Sequence, residues 1–247
     1  MTARDYVEAE VLLQEALSIR RKVFGLESPQ VARSMYNLGR MFLLKKDFAS
    51  AEKWIDRALS LMRKSLKEDH QLILITLNDL AVLYHQTGRH ERMIPILNDI
   101  LENRRTRLGD EHPETLTTIN NLAAALLETT EPREALSLLR DSETAARRVW
   151  ANNKTMLGKF LAKLGESKAG IDDFRQAESD LLEAHQLLIG GAGAEDPGTI
   201  GCVKRLVILY EAWHESDPVG GHDKKAREWR MKVDPAVFDS EYGVSPH

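Results

Sequence analysis

The chain has 247 residues, enough to bury a substantial core, and its 43% hydrophobic and 29% charged residues exclude an intrinsically disordered protein. Aromatic residues make up only 6%, and 15 glycines and 8 prolines are too few turn-forming residues for a many-stranded β-sandwich or barrel. The formal charge of -4 is evidence against a generally basic nucleic-acid-binding protein. These values favour a helical protein of one or two domains.

The cellular location follows from two further features. Cys202 is the only cysteine, so the chain has no internal disulfide and no CxxC metal site. The first ten residues lack the apolar stretch of a secretory signal, and no run of about 18 uncharged apolar residues is present. We therefore expect a cytoplasmic protein that enters no membrane and binds no nucleic acid.

The first predicted helix, residues 4–24, carries a small, large, small pattern at Ala9, Leu13 and Ala16. Because the spacings are four and three residues, these side chains share one face of a helix. The pattern returns every 42 residues, which predicts a repeat fold. The later members are Ala51, Ile55 and Ala58; Met93, Leu97 and Ile100; Ala135, Leu139 and Ser142; and Ala177, Leu181 and Ala184.

Each unit also contains an earlier helix, in which a leucine precedes a glycine or alanine. The small residue lets a neighbouring helix approach closely, so the two helices of a unit are predicted to form an antiparallel hairpin. These pairs are Leu38 and Gly39, Leu80 and Ala81, Leu122 and Ala123, and Leu157 and Gly158.

The connections between units agree with this arrangement. Glycine can end one helix in a left-handed conformation, and proline suits the first turn of the next. The segment 67–71 has neither residue, so its turn is expected to differ. The glycine and proline pairs are Gly25 and Pro29, Gly109 and Pro113, and Gly193 and Pro197.

Three departures from the repeat are predicted. Leu157 comes about seven residues too early, which predicts a short first helix and irregular geometry near residues 150–172. Pro95 falls inside a second helix, which must begin late or kink. A helix at about residues 223–232 ends the array, and residues 233–247 form an irregular tail.

The helix at residues 4–24 has no partner helix before it, so one apolar side is predicted to stay uncovered. One hypothesis is that the reading frame is a C-terminal piece, or a truncated descendant, of a longer protein. The other is self-association through this N-terminal helix.

Together these motifs resemble tetratricopeptide repeats, in particular the 42-residue variety typified by the kinesin light chain. Ala51, Ile55 and Ala58 match the family signature, and the stretch 104–123 is most similar to that subclass. The resemblance covers about residues 5–232. It implies an all-α fold, a right-handed α-solenoid of stacked antiparallel helix hairpins, with about five units over residues 4–232. The C-terminal part also resembles tetratricopeptide tails that follow serine/threonine kinase domains in some bacteria.

The resemblance further implies a concave groove lined by the first helix of each unit. Asparagine offers a donor and an acceptor for the backbone of an extended peptide, and the basic residues predict an acidic partner. The alternative is that all these residues are solvated polar side chains on a helix. The predicted peptide-binding residues are Arg33, Tyr36, Asn37, Arg40, Asn78, His85, Thr117, Asn120 and Lys159.

No catalytic constellation is found. The glycines at 190, 191 and 193 lack the spacing and the lysine of a phosphate-binding loop, and His112 stands where Ser28 and Asp196 cap other helices. We therefore expect no metal, no cofactor and no enzymatic activity. The predicted function is a protein–protein interaction adaptor or scaffold that binds an acidic peptide. The alternative is a regulatory or substrate-docking module detached from a signalling protein such as a serine/threonine kinase.

Overall fold

The computed structural model describes residues 3–234 and residue 238. In this part of the chain the secondary structure is entirely helical, which confirms the all-α helical-repeat fold. The helices are α1 (Ala3–Phe24), α2 (Pro29–Leu44), α3 (Phe48–Ser65), α4 (Gln71–Gln86), α5 (His90–Leu108), α6 (Pro113–Glu128), α7 (Pro132–Val149), α8 (Lys154–Ala169), α9 (Phe174–Ala192), α10 (Pro197–Ser216) and α11 (His222–Arg230).

The helices belong to two compact units, Met1–Asn103 and Arg104–His247. In the first unit, α2 packs against α1, α3 and α4. In the second unit, α8 packs against α6, α7, α9 and α10, and α10 also contacts α11. We call the earlier helix of each 42-residue repeat (α2, α4, α6, α8 and α10) first-type and the later one (α1, α3, α5, α7 and α9) second-type. Each compact unit therefore has its first-type helices beside one another, with a second-type helix packed against them.

The period of 42 residues is confirmed by the helix boundaries. The helices α3, α5, α7 and α9 begin at Phe48, His90, Pro132 and Phe174, each 42 residues after the one before. The small, large, small pattern faces the core, and in α3 its members Ala51, Ile55 and Ala58 are all fully buried. Since each α-helix is amphipathic, this buried row is the surface on which its hairpin partner packs.

Glycine lets α2 and α3 approach each other closely. A Cβ atom added to Gly39 would lie 2.7 Å from Cγ1 of Ile55 and 3.3 Å from the carbonyl oxygen of Ala51. The same contact recurs three periods later, where a Cβ on Gly165 would lie 2.7 Å from Cγ of Leu181. Gly165 is thus the counterpart of Gly39 in the fourth 42-residue repeat.

This packing corrects two expectations. The match at Leu157 and Gly158 is seven residues early, because Leu164 and Gly165 hold the equivalent position. The predicted short first helix is wrong as well, since α8 has 16 residues, the same number as α2, α4 and α6. Gly158 fits the same sequence pattern as Gly165 because it makes the same kind of contact two turns earlier in α8, where an added Cβ would lie 2.7 Å from Cγ of Leu188.

The turns between units follow the predicted chemistry. Gly25, Gly109 and Gly193 adopt left-handed conformations with φ of 80°, 86° and 95°. The segment 67–71, which lacks glycine, has no residue with positive φ, so this turn differs as expected. His112 caps α6, because its Nδ1 accepts a hydrogen bond from the backbone N–H of Glu114 at 3.2 Å.

The turns inside the hairpins repeat a second left-handed position. Lys46, Gly88, Thr130 and Asp172 lie 42 residues apart and have φ between 61° and 67°. Only one of the four is glycine, although this conformation costs other residues roughly 1–2 kcal/mol. The packing of the two helices therefore imposes the turn, and the sequence carries no glycine signal for it.

The remaining helix boundaries bear on two predictions. The helix α5 begins at His90 and includes Pro95, so of the two predicted alternatives, a late start or a kink, the late start is excluded. Pro95 stands in the second turn, where its missing N–H removes a single backbone hydrogen bond. The helix α11 starts one residue before, and ends two residues before, the predicted helix. Most of the predicted tail at 233–247 lies outside the described residues.

Gly165→Ala tests the close approach in the second unit. Alanine gains about 0.5–1 kcal/mol over glycine inside a helix, but crowding against a packed neighbour costs about 1–3 kcal/mol. We expect a net loss of about 1–2 kcal/mol and a lower melting temperature, measured by circular dichroism.

Gly190→Ala in α9 is the matched control, because its Cβ would meet only the flexible side chain of Lys154 at 3.6 Å. This variant should melt at or slightly above the wild-type temperature. Equal melting temperatures for the two variants would contradict the packing argument.

Candidate functional site

The candidate site lies on the face that α6, α8 and α10 form in the second unit. The residues Lys159, Lys163 and Glu166 follow one another along α8 at spacings of four and three, which places them on one side of the helix. From α10, Nε of Arg205 donates a hydrogen bond to Oε2 of Glu166 at 2.5 Å. This ion pair joins the two helices, and Lys159 and Lys163 stand beside it on α8.

Lys163 is the most perturbed of these groups. Burial lowers the pKa of Lys163 to about 8, and the nearby Arg205 and Lys159 act in the same direction. Glu166 opposes this change because a carboxylate stabilises the ammonium form. The Lys163 side chain therefore exchanges its proton in the range from neutral to mildly alkaline pH.

An apolar cleft of about 480 Å³ adjoins this polar cluster. Glu166 and Arg205 stand among its lining residues, so the ion pair borders a mainly apolar space. Ile208 on α10 is 56% exposed there, which is unusual for a large aliphatic side chain. The aliphatic residues of the lining are Leu127, Ala169, Leu181, Ile208, Leu209 and Ala212.

The predicted residues of the second unit occupy different environments on this face. The hydroxyl of Thr117 donates to the carbonyl oxygen of Pro113 at 2.7 Å, within its own helix. Asn120 is buried, and its Oδ1 has no hydrogen-bond partner in the described part of the chain. Lys159 is half-buried beside Gly198 of α10, where an added Cβ would lie 3.3 Å from Cε of the lysine.

In the first unit, α2 presents two exposed cations and one buried tyrosine. Arg33 and Arg40 are exposed, and Asn37 is half-buried. The hydroxyl of Tyr36 donates to Oδ2 of Asp79 at 2.8 Å and so connects α2 with α4. Burial and this hydrogen bond raise the pKa of Tyr36 to about 12.

The helix α4 supplies the last two predicted residues. The side-chain amide of Asn78 donates to the carbonyl oxygen of Leu74 in the same helix, at 2.8 Å. His85 is exposed, and its ring centroid lies 5.7 Å from that of His90. Asn78 and Asn120 hold the same position of the repeat, but the first is half-buried and the second is buried.

Sequence reasoning missed Asp79, Lys163, Glu166 and Arg205. The 42-residue period contains a signal for three of them, because one position of the repeat is polar in all five repeats. In the fourth repeat this position is Lys163, and matching the repeat at Leu157 instead of Leu164 concealed it. The members of this position are Asn37, Asp79, Asn121, Lys163 and Arg205.

The family is decided by sequence comparison. A family model described as Tetratricopeptide repeat matches residues 1–64, 41–106 and 72–148, which together cover more than half of the chain. The chain belongs to the tetratricopeptide repeat family. No curated protein matches its sequence.

Solved structures share the fold of this tetratricopeptide repeat protein. The repeats of a putative kinesin light chain from Podosopora anserina have 18% identity, a TM-score of 0.61, and coverage of 85% of this chain and 100% of that one. The apo form of RapI has 13% identity, a TM-score of 0.66, and coverage of 94% and 65%. NprR in complex with its cognate peptide NprX has 18% identity, a TM-score of 0.56, and coverage of 92% and 62%. At these identities the likeness concerns the fold alone.

The described residues contain no group of three or more histidine, cysteine, aspartate or glutamate side chains that could hold a metal ion. None of their helices combines the length and the apolar character needed to cross a membrane.

Lys163→Met tests the burial of the lysine on this face. Between pH 8 and the ordinary lysine pKa of 10.5, the unfolded chain keeps a proton that the folded chain has released. The free energy of unfolding therefore rises with pH through this window. Methionine removes the ionisable group, so we expect a more stable protein at pH 7 and a smaller gain in stability from pH 7 to about 9.5, measured by urea unfolding.

Lys53→Met on α3 makes the same chemical change at an exposed position and serves as the control. It should leave the pH dependence of stability as in the wild type. Identical pH profiles for Lys163→Met and the wild type would contradict the burial of Lys163.

Proposed function

We propose that this tetratricopeptide repeat protein is a non-enzymatic interaction module that binds an acidic peptide segment on the face formed by α6, α8 and α10. The observation that carries the proposal is the apolar cleft bordered by Glu166 and Arg205, with Lys163 and Lys159 one and two helical turns before Glu166 on α8. A peptide with aliphatic and acidic side chains would bury the first kind in the cleft and pair the second with these cations. Recognition of this type needs no catalytic group.

The sign of the charge on the face supports an acidic partner. The whole chain carries a formal charge of -4, yet the basic residues Lys159, Lys163 and Arg205 stand on α8 and α10 beside Glu166, which is paired with Arg205. Charged groups at an interface steer association and select the partner, and salt screens them over about 8–10 Å. An acidic segment is therefore attracted here and repelled by much of the remaining surface.

The first unit offers a second set of cations for the same class of partner. Arg33 and Arg40 are exposed on α2, one helical turn to either side of Tyr36 and Asn37. The hydrogen bond from Tyr36 to Asp79 holds this part of α2 against α4. We include Arg33, Asn37 and Arg40 in the proposed binding residues. Tyr36 is buried and positions them by holding α2 against α4.

The fold comparison is consistent with peptide binding. NprR, a structural neighbour, was solved in complex with its cognate peptide. We propose the same general role for this chain, in the cytoplasm, with a different peptide chemistry set by Lys159, Lys163 and Arg205. The alternative role as a module detached from a kinase stays a prediction.

Binding of labelled peptide pools tests the proposal. One pool alternates aspartate or glutamate with leucine, isoleucine or phenylalanine, and the other has lysine or arginine at the acidic positions. We expect fluorescence anisotropy to show binding of the acidic pool only, and an affinity that falls several-fold between about 50 and 300 mM salt.

Two charge reversals with the same net charge separate the site from bulk electrostatics. Lys159→Glu should weaken binding of the acidic pool roughly tenfold, which corresponds to about 1.4 kcal/mol. Lys53→Glu, at an exposed position of α3, should have little effect. Equal weakening by both variants, or equal binding of both pools, would overturn the proposal.

A further inference from the structure

Phe238, beyond the end of α11, lies beside two cations of the second unit. Its ring centroid is 5.4 Å from Nζ of Lys204 on α10 and 5.0 Å from Cζ of Arg230 on α11. Both distances are within the range of a cation–π contact. The backbone N–H of Phe238 also donates to the carbonyl oxygen of Asp234 at 2.8 Å. The chain that leaves α11 is therefore held on α10 at this residue.

The lysine that Phe238 contacts holds a defined position of the repeat. Lys204 stands four periods after Tyr36, and in α2 this position faces the next first-type helix, since Tyr36 reaches Asp79 of α4. Within the described residues no first-type helix follows α10, yet Lys204 is only 9% exposed. Phe238 therefore lies where the next first-type helix of the array would pack.

The apolar cleft of the α6–α8–α10 face lies one helical turn from this contact. Lys204 and Ile208 are four residues apart, so they share one side of α10, and Ile208 lines the cleft. On the neighbouring helix α8, Lys159 and Lys163 belong to the same face. Among the described residues, neither of these two lysines forms an ion pair. A carboxylate brought to α8 would therefore find cations to pair with.

The C-terminal segment 235–247 has the composition of the proposed ligand. It contains no lysine or arginine, although the whole chain has 34 of them. Its two carboxylates, Asp239 and Glu241, stand between the aromatic residues Phe238 and Tyr242. The segment thus combines acidic with apolar side chains, which is the chemistry that the face is proposed to select.

The segment is also long enough to cross the face. Packed neighbouring helices lie about 8–10 Å apart, and an extended chain advances about 3.3 Å per residue. Glu241 comes three residues after Phe238, so it can reach from α10 to α8. Because the segment belongs to the same chain, its effective concentration at the face is about millimolar, which favours even a weak contact.

We propose that the segment 235–247 is an internal ligand of the α6–α8–α10 face, with Phe238 as its anchor on α10 and its two carboxylates paired with the lysines of α8. This inference rests on the function proposed above, because it assigns the same face and the same ligand chemistry. It adds a regulation of that function. An external acidic peptide must displace the segment, so the chain binds such a peptide more weakly than the uncovered face would.

Charge removal in the full chain tests the internal ligand. The double variant Asp239→Asn, Glu241→Gln should bind the labelled acidic peptide pool about fivefold more tightly than the wild type in fluorescence anisotropy, because a weakened internal ligand competes less. Glu134→Gln, Asp141→Asn removes the same two charges at exposed positions of α7 and is the matched control. It should bind the pool within about twofold of the wild type. Equal tightening by both double variants would overturn the inference.

Replacement of the anchor is a test that leaves the charge unchanged. Phe238→Ala removes the ring that contacts Lys204 and Arg230, so it should also tighten binding of the acidic pool about fivefold. Phe24→Ala makes the same change at a side chain that is 51% exposed in the first unit, and it should bind like the wild type. A Phe238→Ala chain that binds the pool no better than the wild type would contradict the anchor.

A synthetic peptide separates this inference from the proposed function. A labelled peptide with the sequence of residues 235–247 should bind the Asp239→Asn, Glu241→Gln chain, and the unlabelled acidic pool should displace it. Binding of this peptide without binding of the pool would retain the internal ligand and refute the function proposed for external partners. A pool that binds while the synthetic peptide fails to bind up to about 1 mM would overturn the internal ligand and leave the proposed function intact.

Discussion

The close approach of the two helices in a hairpin is the constraint on which the rest of the structure depends. In α2 and α8 this approach requires glycine, because Gly39 and Gly165 face Ile55 and Leu181 where a Cβ would be only 2.7 Å away. A large side chain therefore fills the space that the glycine leaves. The same contact recurs three periods later, so α2 packs on α3 in the same register as α8 packs on α9, and this register determines which side chains of the two helices meet.

The candidate site is a consequence of that register. In each compact unit, the residue at one position of the repeat pairs with the preceding first-type helix, as Asp79 does with Tyr36 and Arg205 does with Glu166. The inter-helix hydrogen bond from Tyr84 to Glu52 likewise recurs three periods later from Tyr210 to Glu178. Such bonds fix the first-type helices of each compact unit against their neighbours.

The helix α1 shows the same requirement from the other side. A second-type helix is amphipathic on more than one face, because in a repeat array it packs against neighbours on both sides. Here α2 covers one side, and Val7, Val11, Ile19 and Val23 remain exposed on the other.

The sequence by itself determined the period, the helices, the glycine turns and the caps at Ser28, His112 and Asp196, because each depends on spacing or conformational preference within a few residues. It did not determine the register of the fourth repeat, since Gly158 and Gly165 fit the same local pattern. Only the packing of α8 on α9 shows that Gly165 faces Leu181 and Gly158 faces Leu188. Nor did it show that the pKa of the half-buried Lys163 is lowered or that Arg205 pairs with Glu166. Those properties depend on side chains brought from another helix, so only the tertiary structure decides them.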